Sequence, residues 1–325
     1  MRPEQAEGML VGLAVGDALG APVEFGYTAK NIRDEWDGQM QDHRIPKGYY
    51  TDDTAMALCL ADSLLESGGY DSYDVMTKYE NWALHGYRDS EGEPAPDIGN
   101  QTRYAITDFV TNPVVSKDRP RTSNAGNGSI MRLAPIVIAA YEEGSKVCRE
   151  LAKFSARDTH FSEEAEAGTE LFAALLYNAV DRNDKRSIVE ATDFATSDAY
   201  VSVWSRVLDV TKKDFDPTTL EDLGGYVVDA LKIAVWGFLT FDSFREGLVE
   251  VIKLGGDTDT NGAIYGQLAG AYYGYEQIPS EWLDDLYMLQ DFITLADTLN
   301  KEKPSKIIAT RFEEDEKYFK EYKNN

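Results

Sequence analysis

The 325-residue chain carries 57 acidic against 32 basic side chains, a net charge of −25, and 43% of its residues are apolar. That is enough apolar material for a large core, while charge of this sign repels polyanions and argues against nucleic-acid polymers as partners. Three scattered histidines, two cysteines (Cys59 and Cys148) and no HExxH or CxxC argue against a zinc site or a disulfide framework, so a metal here is expected to be a hard ion held by oxygens.

The start, MRPEQAEGML, holds an acid and no leading hydrophobic stretch, and no apolar run reaches the roughly 18 residues that span a bilayer. A cytoplasmic protein without a membrane span is expected. Residues 4–20 read as a helix with Gly8, Gly12, Gly16 and Gly20 on one face. Glycine inside a helix costs about 1 kcal/mol against alanine, so such a stripe predicts close approach by another backbone. The same spacing returns in Gly262, Gly266, Gly270 and Gly274, which makes a tight pair of glycine-ridged helices plausible. Residues 54–66 follow YYTDDT and stop at Gly68-Gly69, a left-handed helix end. Residues 86–128 read as mostly irregular, with Pro94, Pro96, Pro113 and Pro120.

Further on, NAGNGSIMRLAPI (124–136) is a Gly-Asn-Gly turn ahead of an apolar segment. Such a turn can aim backbone N–H groups at an anion, although it matches neither a P-loop nor a dinucleotide fingerprint. DSFREGLVEVIKLGG opens with a capping box, Ser243 and Glu246, and closes at Gly255. Residues 281–299 place Trp282, Leu286, Leu289, Ile293 and Ala296 on one helix face, and from about 300 the charged chain reads as a peripheral helix with a loose end. Nearly every pattern is helical. The expected architecture is one all-α domain over residues 1–300, with 301–325 a charged peripheral segment.

Two segments carry adjacent acids and threonines at a helix start: Thr51-Asp52-Asp53-Thr54, and Asp257-Thr258-Asp259-Thr260 behind Gly255-Gly256. Helix capping alone accounts for either one, since Asp and Thr are good N-caps. A cap needs one oxygen, however, and neighbouring carboxylates repel. If the two starts converge, Thr51, Asp52, Asp53, Asp257, Asp259 and Thr260 supply carboxylate and hydroxyl oxygens suited to one or two Mg²⁺ or Mn²⁺ ions.

Taken together and in order, GLAVGDALGAPVEF, YTDDTAMAL, DIGNQTRYA, GNGSIMRLAPI, DTHFSEEA and LGGDTDTNGAIYGQLAGAYYG resemble the ADP-ribosylglycohydrolases over roughly residues 8–275. The resemblance implies an all-α, orthogonal multi-helix bundle with two divalent ions, Mg²⁺ or Mn²⁺, at its centre. It implies hydrolysis of the bond joining ADP-ribose to a modified protein side chain, with ADP-ribose as product. Carried over by position, Thr51, Asp52, Asp53, Asp257, Asp259 and Thr260 match the metal ligands, and Glu24 matches an acid beside the metal centre. Asp97 of DIG matches an acid-base carboxylate of the nitrogenase branch. Gly126, Asn127, Gly128 and Ser129 match a diphosphate-holding turn, His160 lies near the ADP-ribose, and Asp17 is structural. Glu24 and Asp97 both remain candidates for the base. Arginine linkage is favoured by the DIG match and the acidic chain. An O-linked serine substrate, another ADP-ribose derivative, a different metal hydrolase and a non-catalytic ADP-ribose binder are the alternatives.

Overall fold

The glycine stripe of the first helix meets the second stripe face to face. In the computed structural model, which describes residues 1–25, 29–95, 98–113, 124–191, 197–221 and 223–311, helix Pro3–Gly20 runs antiparallel to helix Thr258–Tyr273. A Cβ on Gly8 would lie 2.5 Å from the carbonyl oxygen of Gly270, one on Gly12 2.3 Å from that of Gly266, and one on Gly16 2.1 Å from that of Gly262. Backbone touches backbone, so only glycine fits. Both helices are buried on nearly every side, as the central elements of a bundle must be.

The pair also fixes where the chain's ends meet. Gly20, the last residue of the first helix, abuts the first turn of the second, and the Thr258 hydroxyl donates to the Gly20 carbonyl at 2.8 Å. A short 3₁₀ turn, Ala21–Val23, then delivers Glu24 beside Asp257 and Asp259. Around this axis pack helices Asp52–Ser67, Ala134–Ala140, Glu163–Asp181, Val227–Thr240, Phe244–Ile252 and Leu289–Glu302. The fold is all-α, with one two-stranded parallel ribbon, Gly69–Asp71 against Lys306–Ala309, among the described residues. Cys59 and Cys148 are buried free thiols whose pKa burial pushes up.

Two expectations need correction, and two others gain detail. By length and composition, Pro3–Val23 is apolar enough to cross a membrane, yet 89% of its apolar window is buried inside the protein. It is the core helix, and packing against the second glycine helix accounts for its hydrophobicity. Residues 86–128 are mostly irregular where described, as expected, but they also hold a helix, Asn100–Thr111, which buries Thr102, Ala105, Ile106 and Phe109 with helical spacing. The stretch 281–299 is two helices, Ser280–Asp285 and Leu289–Glu302, because Met288 adopts a left-handed conformation between them. Past residue 300 the chain leaves the helix at left-handed Lys303 and pairs as a strand that buries Ile307. The expected loose end, 312–325, lies outside the described residues.

Candidate active site

Helix Asp52–Ser67 starts without a cap of its own, since Thr51 makes no side-chain cap bond. Asp17, from the first glycine helix, takes that role. Its carboxylate accepts from the Thr51 and Thr54 backbone N–H groups at 3.0 Å each, and from their hydroxyls at 2.8 and 2.6 Å. Both oxygens are therefore committed to holding the helix start. The helix start is thus held by Asp17 from another helix.

The two acidic helix starts converge. The Thr51 hydroxyl lies 3.4 Å from an Asp259 carboxylate oxygen, and the Thr260 hydroxyl lies 3.5 Å from Asp53. One carboxylate oxygen from each of Asp17, Asp53 and Asp259 falls within 4.8 Å of the others, and so do those of Glu24, Asp257 and Asp259. Asp53 and Asp259 are buried, and Asp53 Oδ1 has no hydrogen-bond partner among the described residues. Burial first, then Asp17, Asp52, Asp257 and Glu24, push the Asp53 pKa well above the usual carboxylate range. Burial, then Glu24, Asp257, Asp53 and Asp17, do the same to Asp259. Buried carboxylates that raise one another's pKa call for compensating positive charge. A hard divalent cation held by carboxylate and hydroxyl oxygens fits this donor set. Thr51, Asp52, Asp53, Asp257, Asp259 and Thr260 are the residues that would hold it.

Thr51, Asp52, Asp257, Asp259 and Thr260 line a cleft of about 370 Å³. The cleft is also lined by the turn Gly126–Gly128, by Gly99–Thr102 at the start of helix Asn100–Thr111, and by His160. Gln267 of the second glycine helix anchors the segment behind the turn. Its amide donates to the carbonyls of Ile130 (3.1 Å) and Met131 (2.7 Å) and its oxygen accepts from the Ala134 N–H (2.8 Å). His160 packs beneath the turn, where a Cβ on Gly128 would meet the imidazole at 2.8 Å. Burial, and secondarily the Arg132 charge, lower its pKa to about 3, so the ring is neutral. Arg132 itself is fully buried, donates to the Gly128 carbonyl at 3.0 Å and to the Thr159 hydroxyl at 2.5 Å, and lies over the Tyr79 ring. A fixed positive charge thus stands behind the turn in a strongly acidic protein.

Of the sequence candidates, Glu24, Thr51, Asp52, Asp257, Asp259, Thr260, Gly126, Asn127, Gly128 and His160 all line the cleft, and buried Asp53 sits directly behind. Two of the turn residues are engaged elsewhere. The Ser129 hydroxyl is buried against Thr169, which donates to it at 2.8 Å, and Ser129 does not line the cleft. Asn127 donates its backbone N–H to Gly225 and its side-chain amide to Asp257 at 2.8 Å and to the Gly224 carbonyl, so it orients an acid of the site. Gly224 is required there, because a Cβ would fall 2.0 Å from that of Asp257. Asp97 lies outside the described residues. Sequence reasoning missed Arg132 and Gly224-Gly225, most of whose partners are remote in the chain. It also missed Gln101 and Thr102, which the helical spacing of Asn100–Thr111 announces.

Comparison with known proteins agrees with this geometry. A model of the ADP-ribosylglycohydrolase family matches residues 2–307. The "ADP-ribosylarginine hydrolase Tri1" of Serratia proteamaculans is 31% identical over 91% of this chain and 79% of its own length. Its namesake from Pseudomonas putida is 32% identical over 94% of this chain and 81% of its own. A solved structure described as an "ADP-ribosylglycohydrolase-related protein complex" superposes with a TM-score of 0.77 and 35% identity, over 93% of this chain and 98% of that one.

Proposed function

This chain belongs to the ADP-ribosylglycohydrolase family and is an ADP-ribose-removing hydrolase, and from that premise we propose that it cleaves the N-glycosidic bond of ADP-ribosyl-arginine with the help of two bound Mg²⁺ or Mn²⁺ ions. The observation that carries the reading is the convergence of the two Asp/Thr helix starts, with Glu24, in one cleft. Arginine linkage is supported by the names of the two relatives and by the cleft itself. Glu24 is an acid of the cleft outside the six residues assigned to the ions, and Arg44 is the only cationic side chain among the described lining residues, a setting that admits a guanidinium.

In this account the ions, when bound, orient the ribose hydroxyls and make water more acidic. The chain's own residues do the rest. The Gly126–Gly128 turn, backed by Arg132, faces the diphosphate, and His160, neutral, supports the turn from beneath. Glu24 takes a proton from water, whose oxygen bonds to the anomeric carbon as the bond to the arginine nitrogen breaks. The guanidine leaves with a proton, and Asp97 is proposed as the acid that holds or supplies it. The guanidine nitrogen is far more basic than the glycosidic oxygen of a serine linkage, so protonating the departing group is easier here than in a serine substrate.

The test is ADP-ribose release from matched arginine- and serine-modified peptides at equal concentration. Faster release from the arginine peptide is expected, with Asp97→Asn slowing it. Faster cleavage of the serine peptide, or unchanged arginine cleavage by Asp97→Asn, overturns the linkage.

A further inference from the structure

Phe25 is a residue of the cleft that the reaction as described does not use. It follows Glu24, lines the cleft, and is 68% exposed. Its backbone is also unusual, with φ at 40°, in the left-handed region that bulky side chains rarely occupy. Three other non-glycine residues have positive φ among those described, and each has an evident reason. Met288 and Lys303 flank helix Leu289–Glu302, and Arg88 is tied to Asp62 through its guanidinium. Phe25 instead donates its N–H to the Gly256 carbonyl at 2.9 Å, on the turn that presents Asp257. An unfavourable conformation is thereby anchored to the acidic turn, and the ring stands at the cleft rather than in the core. Strain held at a site in this way points to a role there.

The surroundings indicate which ligand the ring would meet. Next to it in the chain is Glu24, the one acid among the described lining residues that is not among the six assigned to the ions. An electron-rich ring face next to a carboxylate attracts a planar cation, and guanidinium stacks on aromatic faces better than any other side-chain group. We propose that Phe25 is a specificity residue whose ring stacks on the guanidinium of the arginine leaving group. The proposal rests on the arginine reading above and deepens it. A serine leaving group is neutral and too short to profit from the same contact.

The test compares Phe25→Gly, which removes the ring and suits the backbone, Phe25→Leu, which keeps a bulky apolar side chain without a π face, and Phe25→Tyr. Steady-state kinetics are measured on arginine- and serine-modified peptides, with calorimetric titration of ADP-ribose alongside. Both Phe25→Gly and Phe25→Leu should raise KM for the arginine peptide about five- to thirtyfold with little change in kcat, and Phe25→Tyr should restore it. Affinity for ADP-ribose and KM for the serine peptide should stay within about twofold, the scatter expected of a site left otherwise intact. An unchanged arginine KM in Phe25→Gly, a Phe25→Leu variant equal to the natural protein, or a parallel loss of ADP-ribose affinity overturns the proposal while leaving arginine cleavage intact. A natural protein that cleaves only the serine peptide overturns the linkage reading itself, and this inference with it.

Discussion

Alanine at Gly20 should separate the structural from the catalytic task of the glycine ridge. Its Cβ would fall 2.3 Å from the Thr258 carbonyl oxygen and 2.6 Å from the Asp259 Cα, where ordinary contact begins at 3.4 Å. The obstacle is backbone, so the helices must part there by about 1 Å. Alanine at Gly8, at the far end of the pair, meets the Gly270 carbonyl oxygen at 2.5 Å and makes a comparable clash. Overpacking of this kind costs about 1–3 kcal/mol, offset by about 1 kcal/mol from the better helix propensity of alanine. Each variant should therefore lose up to about 2 kcal/mol and melt up to a few degrees lower. Only Gly20→Ala shifts Asp259 against Asp53 and Glu24, and a displacement near 1 Å at a reacting centre costs up to about a hundredfold in rate. Thermal denaturation and ADP-ribose release are measured on both. Equal loss of turnover in Gly8→Ala and Gly20→Ala, or full turnover in Gly20→Ala, would refute the claim that this helix contact sets the site's geometry.

Two further outcomes follow from the same contacts. Asp259→Asn should abolish the rise in melting temperature on adding Mg²⁺, whereas Asp17→Asn, which turns an amide toward the N–H and hydroxyl donors of Thr51 and Thr54, should lower stability by about 2–3 kcal/mol with or without the ion; equal losses of the Mg²⁺ response would contradict the division. His160 has a folded pKa near 3 against 6.5 for the free side chain, so its contribution to stability is present above pH 6.5 and fades as pH falls toward 3. At pH 5 the loss is about 2 kcal/mol, and the stability difference between the natural protein and His160→Gln should shrink by that amount between pH 7 and pH 5 in denaturant titrations. A pH-independent difference would mean that the imidazole is not buried in its neutral form.

What the sequence made legible was whatever repeats at a local period. Glycine every fourth residue announced the central pair, and doubled Asp/Thr motifs announced the metal-suited wall, because both signals lie within single helices. The Gly68 helix end and the Ser243 cap were legible for the same reason, and the Ser243 hydroxyl does accept from the Glu246 N–H at 3.1 Å. Long-range partnerships were not. Asn127 reads as a turn residue, and only the fold brings it to Asp257, 130 positions away. Ser129 looked available in GNGS, and the fold turns its hydroxyl inward to Thr169. Arg132 gave no signal as an isolated cation in an apolar run. The strand Lys306–Ala309 was hidden because a four-residue ribbon has meaning only beside its partner Gly69–Asp71. Prolines drew attention away from helix Asn100–Thr111, although its buried positions keep the helical period.

The central claim is that the two acidic helix starts hold the cations on which hydrolysis depends. It is tested most directly by stripping the protein with EDTA, exchanging it into chelator-free buffer, and measuring ADP-ribose release from an arginine-modified protein before and after adding Mg²⁺ or Mn²⁺. The account predicts no release from the stripped protein, recovery on adding either ion to the natural chain, and no recovery in Asp259→Asn. Undiminished release in excess EDTA would contradict it.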